Sequence, residues 1–287
     1  MIFVGVIANR LKILDEKTNS KLSSLLLNIT LPLFIISSFD FKYSLSTLKN
    51  MLLILLFGFL FHIFCFVIGL FIYHKYPQEV KGILIFAILF TNCGYVGFPI
   101  LEKFYGSIGI ILGALFLIPF NVFLWTVGVL LFNNQKFKLK NIFLNPGIIA
   151  SIIGTIIFSF SIKLPIFIDS SFSTIGNMTT PLSMIIIGGV ISQMKLKEIF
   201  INKYIYFNSF LRLIIVPLVV FLIMRLFKID SVVFGVCVIL SGMPAAVTTP
   251  IFAQRYHGDV NLATKLVFMS TLLAVLTIPL LIAFLNI

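Results

Sequence analysis

The chain has 287 residues, of which 60% are hydrophobic and only 10% are charged. A soluble domain carries about 25% charged residues, so this composition excludes a soluble globular protein and indicates a polytopic protein of the lipid bilayer. The net charge of +12 does not indicate a nucleic-acid partner, because the basic residues lie in short loops between apolar segments, where they determine membrane topology.

Ten apolar segments follow one another along the chain, and the polar runs between them are too short to form a soluble domain. The first segment is shorter than the roughly 20 helical residues that span a bilayer. We predict an all-α membrane protein with helices near residues 1–8, 22–39, 51–73, 83–101, 107–132, 142–162, 171–193, 204–224, 231–252 and 264–286.

The two halves of the chain resemble each other. NITLPL at 28–33 matches NMTTPL at 177–182, and the Pro-Ile pair at 99–100 matches the pair at 250–251, with offsets of 149 and 151 residues. Five segments per half is an odd number, so the second half must insert upside down. We therefore predict two inverted five-helix repeats, residues 1–132 and 142–287, joined by a linker at 133–141.

The repeat also makes segment 1 unusual. Gly5 aligns with Gly154 at the same offset, but segment 6 begins about nine residues before Gly154, whereas nothing precedes Gly5 by that margin. We expect segment 1 to be truncated, either because the chain starts at a mis-assigned methionine or because the fold tolerates a stub helix.

The loops after segments 1, 3, 5, 7 and 9 hold most of the lysine and arginine residues. The side richer in these residues should be cytoplasmic. We therefore expect a multi-pass protein of the plasma (inner) membrane, with both termini outside and the 133–141 linker inside. Arg212 and Lys265 lie towards the cytoplasmic ends of their segments, where long side chains can snorkel to the interface.

Glycine and proline interrupt one apolar segment in each half, in the sequences TNCGYVGFP (91–99) and SGMPAAVTTP (241–250). They should open the helices, and bare backbone at membrane depth is tolerated only where it is buried in protein or lines a cavity. Paired breaks of this kind point to a transporter's binding site, although kinked helices packed through small residues are the alternative. The candidate substrate-binding residues are Asn92, Gly94, Gly97, Pro99, Pro244, Thr248 and Thr249.

The middle of each segment has no evident Asp, Glu, Lys or Arg. This argues against a carboxylate-based proton antiporter and against a buried Lys or Arg clamp for the substrate. Half-helix N-termini favour anions, and the amide of Asn92 can donate to a carboxylate, so neutral groups should recognise the substrate.

Asn28 and Asn177 each precede a proline by four residues and are either structural links between helices or ligand contacts. We expect no metal site and no cofactor, since Cys65, Cys93 and Cys237 lack metal-ligand spacing. Catalytic spacings are also missing from the segments, so an enzyme is not expected.

Four strings together resemble the auxin efflux carrier family, whose bacterial members are often labelled permeases. They are NITLPLFIISSF (28–39), NCGYVGFP (92–99), PLSMIIIGG (181–189) and MPAAVTTPIFAQRY (243–256). The resemblance covers nearly the whole chain, and the family is similar in fold to bile acid–sodium symporters. It implies crossed broken helices 4 and 9, a scaffold of segments 1, 2, 6 and 7, and a mobile unit of segments 3–5 and 8–10. It also implies that Asn92 binds the substrate's carboxylate, and it leaves a homodimer open.

The sequence thus predicts a secondary transporter of small organic anions, mono- or dicarboxylates, that works by elevator-like alternating access and exports along the membrane potential. Two alternatives stay open. One is a Na⁺- or H⁺-coupled importer of organic anions, and the other is a non-transporting membrane receptor or assembly factor.

Overall fold

The computed structural model describes residues 1–39, 44–132, 144–192 and 203–285. These residues form helices and no strand, which confirms the prediction of an all-α protein for the described part of the chain. The predicted linker at 133–141 lies outside the described residues. The α-helices are α1 (Ile2–Arg10), α2 (Glu16–Leu25), α3 (Leu31–Ser38), α4 (Leu45–Ile72), α5 (Gln78–Leu89), α6 (Phe98–Phe123), α7 (Pro146–Ser159), α8 (Ile166–Gly176), α9 (Thr179–Ser192), α10 (Lys203–Phe210), α11 (Val216–Arg225), α12 (Ser231–Ser241), α13 (Thr248–Arg255) and α14 (Val260–Leu285).

In the described ranges, four wider π turns interrupt or extend these helices, at Leu26–Thr30, Cys93–Gly97, Leu124–Gly128 and Leu211–Ile215. The first, second and fourth of them each end two residues before a proline, namely Pro32, Pro99 and Pro217. Proline has no N–H to continue the helical ladder, and its ring clashes with the preceding turn, so the backbone widens there. These prolines therefore determine where the long apolar helices are locally unwound.

Gly106 divides α6 into two helical parts. Its φ of 56° and ψ of −144° are non-helical and lie in a region that favours glycine. This kink falls between predicted segments 4 and 5, so the residues before Gly106 and those after it belong to different segments.

Within the described part of the chain, five helical stretches are long and apolar enough to cross a membrane. These stretches are Lys17–Ser38, Leu45–Ile72, Cys93–Leu130, Lys203–Arg225 and Val260–Leu285, of which Cys93–Leu130 contains the kink at Gly106. Shorter apolar helices lie at Val80–Leu89, Pro146–Ser159 and Ser231–Ser241. The prediction of a polytopic membrane protein is therefore confirmed, whereas the ten-helix inverted repeat stays a prediction.

The outward face of α4 is apolar. Leu52, Leu56, Leu60, Ile63 and Val67 recur at helical spacing and are all exposed. Water would disfavour such a continuous apolar stripe, whereas lipid tails solvate it. This face of α4 is therefore suited to contact lipid.

The most deeply buried residues lie around α5, the middle of α6 and α12. Every residue from Ile83 to Phe90 has no exposed surface, and the same holds for residues 236–240 of α12. Helices with no exposed face must be surrounded by other helices. The core of the protein is thus centred on the two segments that carry the Gly and Pro interruptions.

The short helix α1 is docked against α9. A Cβ added at Gly5 would lie 2.1 Å from the carbonyl oxygen of Ile185, so only glycine permits this approach. The corresponding glycine of the second half is Gly154 on α7, where an added Cβ would overlap the ring of Phe39. Both glycines therefore allow a helix of one half to approach a segment of the other half closely.

Candidate functional site: the crossing of two broken segments

Each predicted interruption contains a short non-helical stretch. α5 ends at Leu89, and helical structure resumes at Cys93. In the second half, α12 ends at Ser241 and α13 begins at Thr248, with the proline at 244 in between. The missing N–H of Pro244 and the flexibility of the nearby glycine explain why the chain leaves the helix at that point.

The two breaks cross and pair with each other through their backbones. The N–H of Asn92 donates to the carbonyl of Pro244 at 2.8 Å, and the N–H of Ala246 donates to the carbonyl of Phe90 at 2.9 Å. Together they form one antiparallel bridge, between Thr91 and Ala245. Each break thus satisfies backbone groups that the other has freed, as burial in an apolar medium requires. We call residues 90–97 and 242–249 the crossing.

A hydroxyl that sequence analysis did not identify supports the crossing from α14. The Oγ of Ser270 accepts a hydrogen bond from the N–H of Ala245 at 3.1 Å and donates to the carbonyl of Val267. Ser270 is 2% exposed. A single serine in an apolar helix gives no signal of this role, because its partner is identified only by the packing of α14.

Asn92 begins the π turn at Cys93–Gly97 and is almost fully buried. Its Oδ1 accepts a hydrogen bond from the N–H of Tyr95 at 3.3 Å, so the side chain caps the half-helix. Its Nδ2 has no hydrogen-bond partner among the described residues. An amide nitrogen is a donor, so this side chain caps the half-helix through Oδ1 and can still donate to a ligand through Nδ2.

The two threonines of the second break have different roles. Thr249 is fully buried, and its hydroxyl donates to the carbonyl of Ala246 at 2.6 Å. The hydroxyl of Thr248 is buried and has no partner among the described residues. Thr248 therefore offers a free polar group, whereas Thr249 stabilises the break itself.

The glycines and prolines mainly shape the crossing. Gly97 admits a side chain of α12, since a Cβ there would lie 3.1 Å from Cδ2 of Leu240. A Cβ at Gly94 would meet no atom within 4 Å. Pro99 is buried at the start of α6, and Pro244 accepts the hydrogen bond from Asn92.

Asn28 and Asn177 lie in exposed positions, unlike Asn92. The amide of Asn28 donates to the carbonyl of Ser24 in its own helix at 2.8 Å. Asn177 follows the last residue of α8. The structure therefore gives Asn28 a local helical contact, and it brings neither residue into the backbone pairing of the crossing.

The expectation that Arg212 snorkels to the interface is wrong. Its side chain is fully buried, and its Nε donates to the carbonyl of Met243 in the crossing at 3.0 Å. The guanidinium lies 5.7 Å from the ring centroid of Phe61. Arg212 follows Lys203 by nine residues, or about 14 Å of helix, which is near the middle of a 30 Å bilayer core. A buried arginine thus adjoins the crossing, contrary to the expectation that only neutral groups lie there.

The unpaired side-chain groups of this region are mostly hydrogen-bond donors. Asn92 Nδ2 and both Nη atoms of Arg212 are donors that have no partner among the residues that the structure describes, and the hydroxyl of Thr248 can also donate. A site with several buried donors and few free acceptors suits an anion better than a cation.

Comparisons with known proteins identify the family of the chain. A family model described as a membrane transport protein, of the auxin efflux carrier-like kind, matches residues 1–141 and 133–282. The chain belongs to this family. The predicted family resemblance is therefore confirmed, and the protein is a membrane transporter and not an enzyme.

Similar proteins in other organisms are also named transporters. One, an uncharacterized transporter of Methanocaldococcus jannaschii, is 27% identical over 295 residues, covering 98% of this chain and 94% of that protein. Another, of Methanothermobacter thermautotrophicus, is 23% identical over 295 residues, covering 98% and 93%. The uncharacterized transporter YfdV of Escherichia coli is 24% identical over 200 residues, covering 65% and 62%. These names support transport and a multi-pass membrane location, and none of them specifies a substrate.

Proposed function

We propose that this transporter is a secondary carrier of small organic anions, mono- or dicarboxylates, and that the crossing is its substrate site. The observation that carries the proposal is the unpaired, buried Nδ2 of Asn92 beside the backbone pairing of the two breaks. A buried donor without a partner is costly, and a carboxylate oxygen would satisfy it. Thr248 supplies a second free polar group on the other break.

The proposed transport cycle is elevator-like, with ten segments arranged as two inverted repeats. Segments 1, 2, 6 and 7 would form the scaffold, and segments 3–5 and 8–10 would carry the crossing across the membrane. Close glycine-mediated packing of α1 on α9 and of α7 against Phe39 supports a scaffold in which the halves are interleaved. The first contact joins segment 1 with segment 7, and the second joins segment 6 with segment 2. A two-fold relation between the halves requires this exchange of partners.

The proposed direction is export, with both termini outside the plasma membrane. Moving one negative charge outward across an inside-negative membrane releases about 2.3 kcal/mol per 100 mV. An anion carrier therefore needs no coupling ion to export, whereas import requires a coupled cation. A homodimer remains part of the proposal, through contacts of the scaffold.

Counterflow in proteoliposomes tests this proposal. Vesicles loaded with unlabelled malonate, malate, lactate or indole-3-acetate are diluted into the same labelled anion, and uptake is compared with that of protein-free vesicles. Transient accumulation of one labelled carboxylate is the expected result. Absence of counterflow for every anion, by protein that is folded in detergent, would favour a non-transporting receptor and overturn the proposal.

A further inference from the structure

Arg212 is a fixed positive charge inside the protein. It lies in the π turn Leu211–Ile215, between α10 and α11, and has no exposed surface. Arginine keeps its proton in proteins, so this charge persists throughout the transport cycle.

The surroundings of the guanidinium do not neutralise it. Only Nε has a hydrogen bond, to the carbonyl of Met243, while Nη1 and Nη2 have none among the described residues. Its neighbours are the ring of Phe61 and, within electrostatic range, the side chains of His62, Cys65 and Cys93. The described residues place no carboxylate among these neighbours. A buried charge without a counter-ion is strongly unfavourable, which implies that an anion joins it during function.

The position of Arg212 connects it with the substrate site. Met243 directly precedes Pro244, whose carbonyl accepts the hydrogen bond from Asn92, and Cys93 directly follows Asn92. A negative charge bound at the crossing would therefore lie close to the guanidinium, in surroundings where charges are poorly screened.

We propose that Arg212 is the positive charge that neutralises the carboxylate of the bound substrate. The substrate site loaded with a monoanion then has no net charge, and the empty site has one positive charge. This inference rests on the proposed function, because it assumes that the crossing binds and moves an organic anion.

The proposal determines which step of the cycle responds to voltage. In the proposed elevator, Arg212 moves with the crossing, since it is bonded to Met243. An inside-negative potential then drives the return of the empty, positively charged carrier and leaves the loaded step unaffected. One net negative charge still leaves the cell per cycle. Because the guanidinium already occupies the carbonyl of Met243, a coupling cation has neither that ligand nor a favourable electrostatic environment.

Binding to purified protein is the first test, with labelled lactate, indole-3-acetate and malonate as probes. Arg212→Gln should weaken binding by about 30-fold or more, because one partner of a buried charge pair is removed. Arg212→Lys keeps the charge and should retain part of the affinity. Arg225→Gln is the matched control, since Arg225 is exposed and also lies 5.7 Å from a phenylalanine ring, that of Phe221. The affinity of Arg225→Gln for the labelled anions should stay within about twofold of that of the wild type.

Exchange under voltage is the second test, and its first measurement uses the wild-type protein. Wild-type proteoliposomes with labelled lactate or indole-3-acetate on one side and unlabelled anion on the other should exchange at a rate independent of a potential of about 100 mV of either sign. Arg212→Lys should behave in the same way, whereas residual exchange by Arg212→Gln should depend on voltage, because its loaded carrier is negative. A merely structural arginine would not alter this voltage dependence.

The outcomes separate the two proposals. If the wild type binds and exchanges an anion but its exchange depends on voltage, or if Arg212→Gln binds as well as the wild type, the role of Arg212 is wrong and the carrier function stands. If the wild type neither binds nor exchanges any probe, both proposals are wrong.

Discussion

The backbone N–H of Asn92 donates to the carbonyl of Pro244, 152 residues later in the chain, across 2.8 Å. This hydrogen bond joins the two interrupted segments at the centre of the buried core. Because it uses only backbone atoms of Asn92, the amide side chain is left to cap its own half-helix and to offer Nδ2 to a ligand. The backbone N–H of Asn92 therefore holds the crossing together, whereas its Nδ2 is available to a ligand, and substitution of the side chain tests the second role without removing the first.

Asn92→Ala should abolish substrate binding while the protein still folds. The loss of the cap to Tyr95 costs about 1 kcal/mol of the free energy of unfolding, a small part of the whole. Asn92→Asp is the sharper variant, because a carboxylate can still accept from Tyr95 but replaces the Nδ2 donor with a negative charge. Binding assays and thermal unfolding in detergent should show lost affinity and retained folding for Asn92→Asp.

A matched control exists in Asn145, which caps α7 by accepting from the N–H groups of Gly147 and Ile148. Asn145→Asp makes the same chemical change away from the crossing and should keep the wild-type affinity, although it also removes the hydrogen bond from Nδ2 to Oδ1 of Asn121 and should lower the melting temperature. Wild-type affinity in Asn92→Asp would exclude Asn92 from the substrate site.

Thr248→Val and Thr249→Val should separate binding from stability. The hydroxyl of Thr248 has no partner in the described protein, so its removal should raise KM several-fold and leave the melting temperature nearly unchanged. Thr249 donates to Ala246, and losing that bond should reduce the free energy of unfolding by about 1 kcal/mol. Thermal unfolding together with counterflow kinetics measures both effects. Equal loss of stability in the two variants would contradict this assignment.

Gly5→Ala and Gly154→Ala should both destabilise the protein. Each new Cβ would overlap a neighbour from the other half, Ile185 or Phe39, and overpacking of this kind typically costs about 1–3 kcal/mol. Gly94→Ala is the control for the thermal unfolding assay, because its Cβ would meet no atom within 4 Å. If Gly5→Ala melted at the wild-type temperature, the close docking of α1 on α9 would be wrong.

Labelling of cysteines introduced into the loops reports the orientation of the protein in the membrane. Lys228→Cys should react with an impermeant maleimide in intact cells, whereas Lys75→Cys should react only after permeabilisation, because the proposed topology places residue 228 outside and residue 75 inside. Both lysines are exposed, and the native cysteines Cys65, Cys93 and Cys237 are buried and should give little background. The reverse labelling pattern would invert the proposed topology and place both termini inside.

The sequence predicts the breaks better than it predicts their surroundings. Pro244 lies within the second break and acts through the backbone, so its effect is local and can be inferred from residue type alone. The first break, at 90–92, precedes Pro99 by seven residues or more, so Pro99 marks the interrupted segment but not the position of its break. Arg212 is different, because its distance from the segment end allows either snorkelling or burial. The Met243 carbonyl and the ring of Phe61, both distant in sequence, hold the guanidinium inside. Ser270 was missed for the same reason, since its partner Ala245 becomes a neighbour only when α14 packs against the crossing.

The most direct test of the central claim is net flux from proteoliposomes loaded with a labelled carboxylate that shows counterflow, under potentials of either sign and with or without Na⁺ or a pH gradient. The account predicts that the anion leaves along the electrical driving force at the same rate with and without Na⁺, and that Asn92→Asp abolishes this flux. Movement that occurs only with Na⁺ or a pH gradient would contradict it and identify a cation-coupled importer.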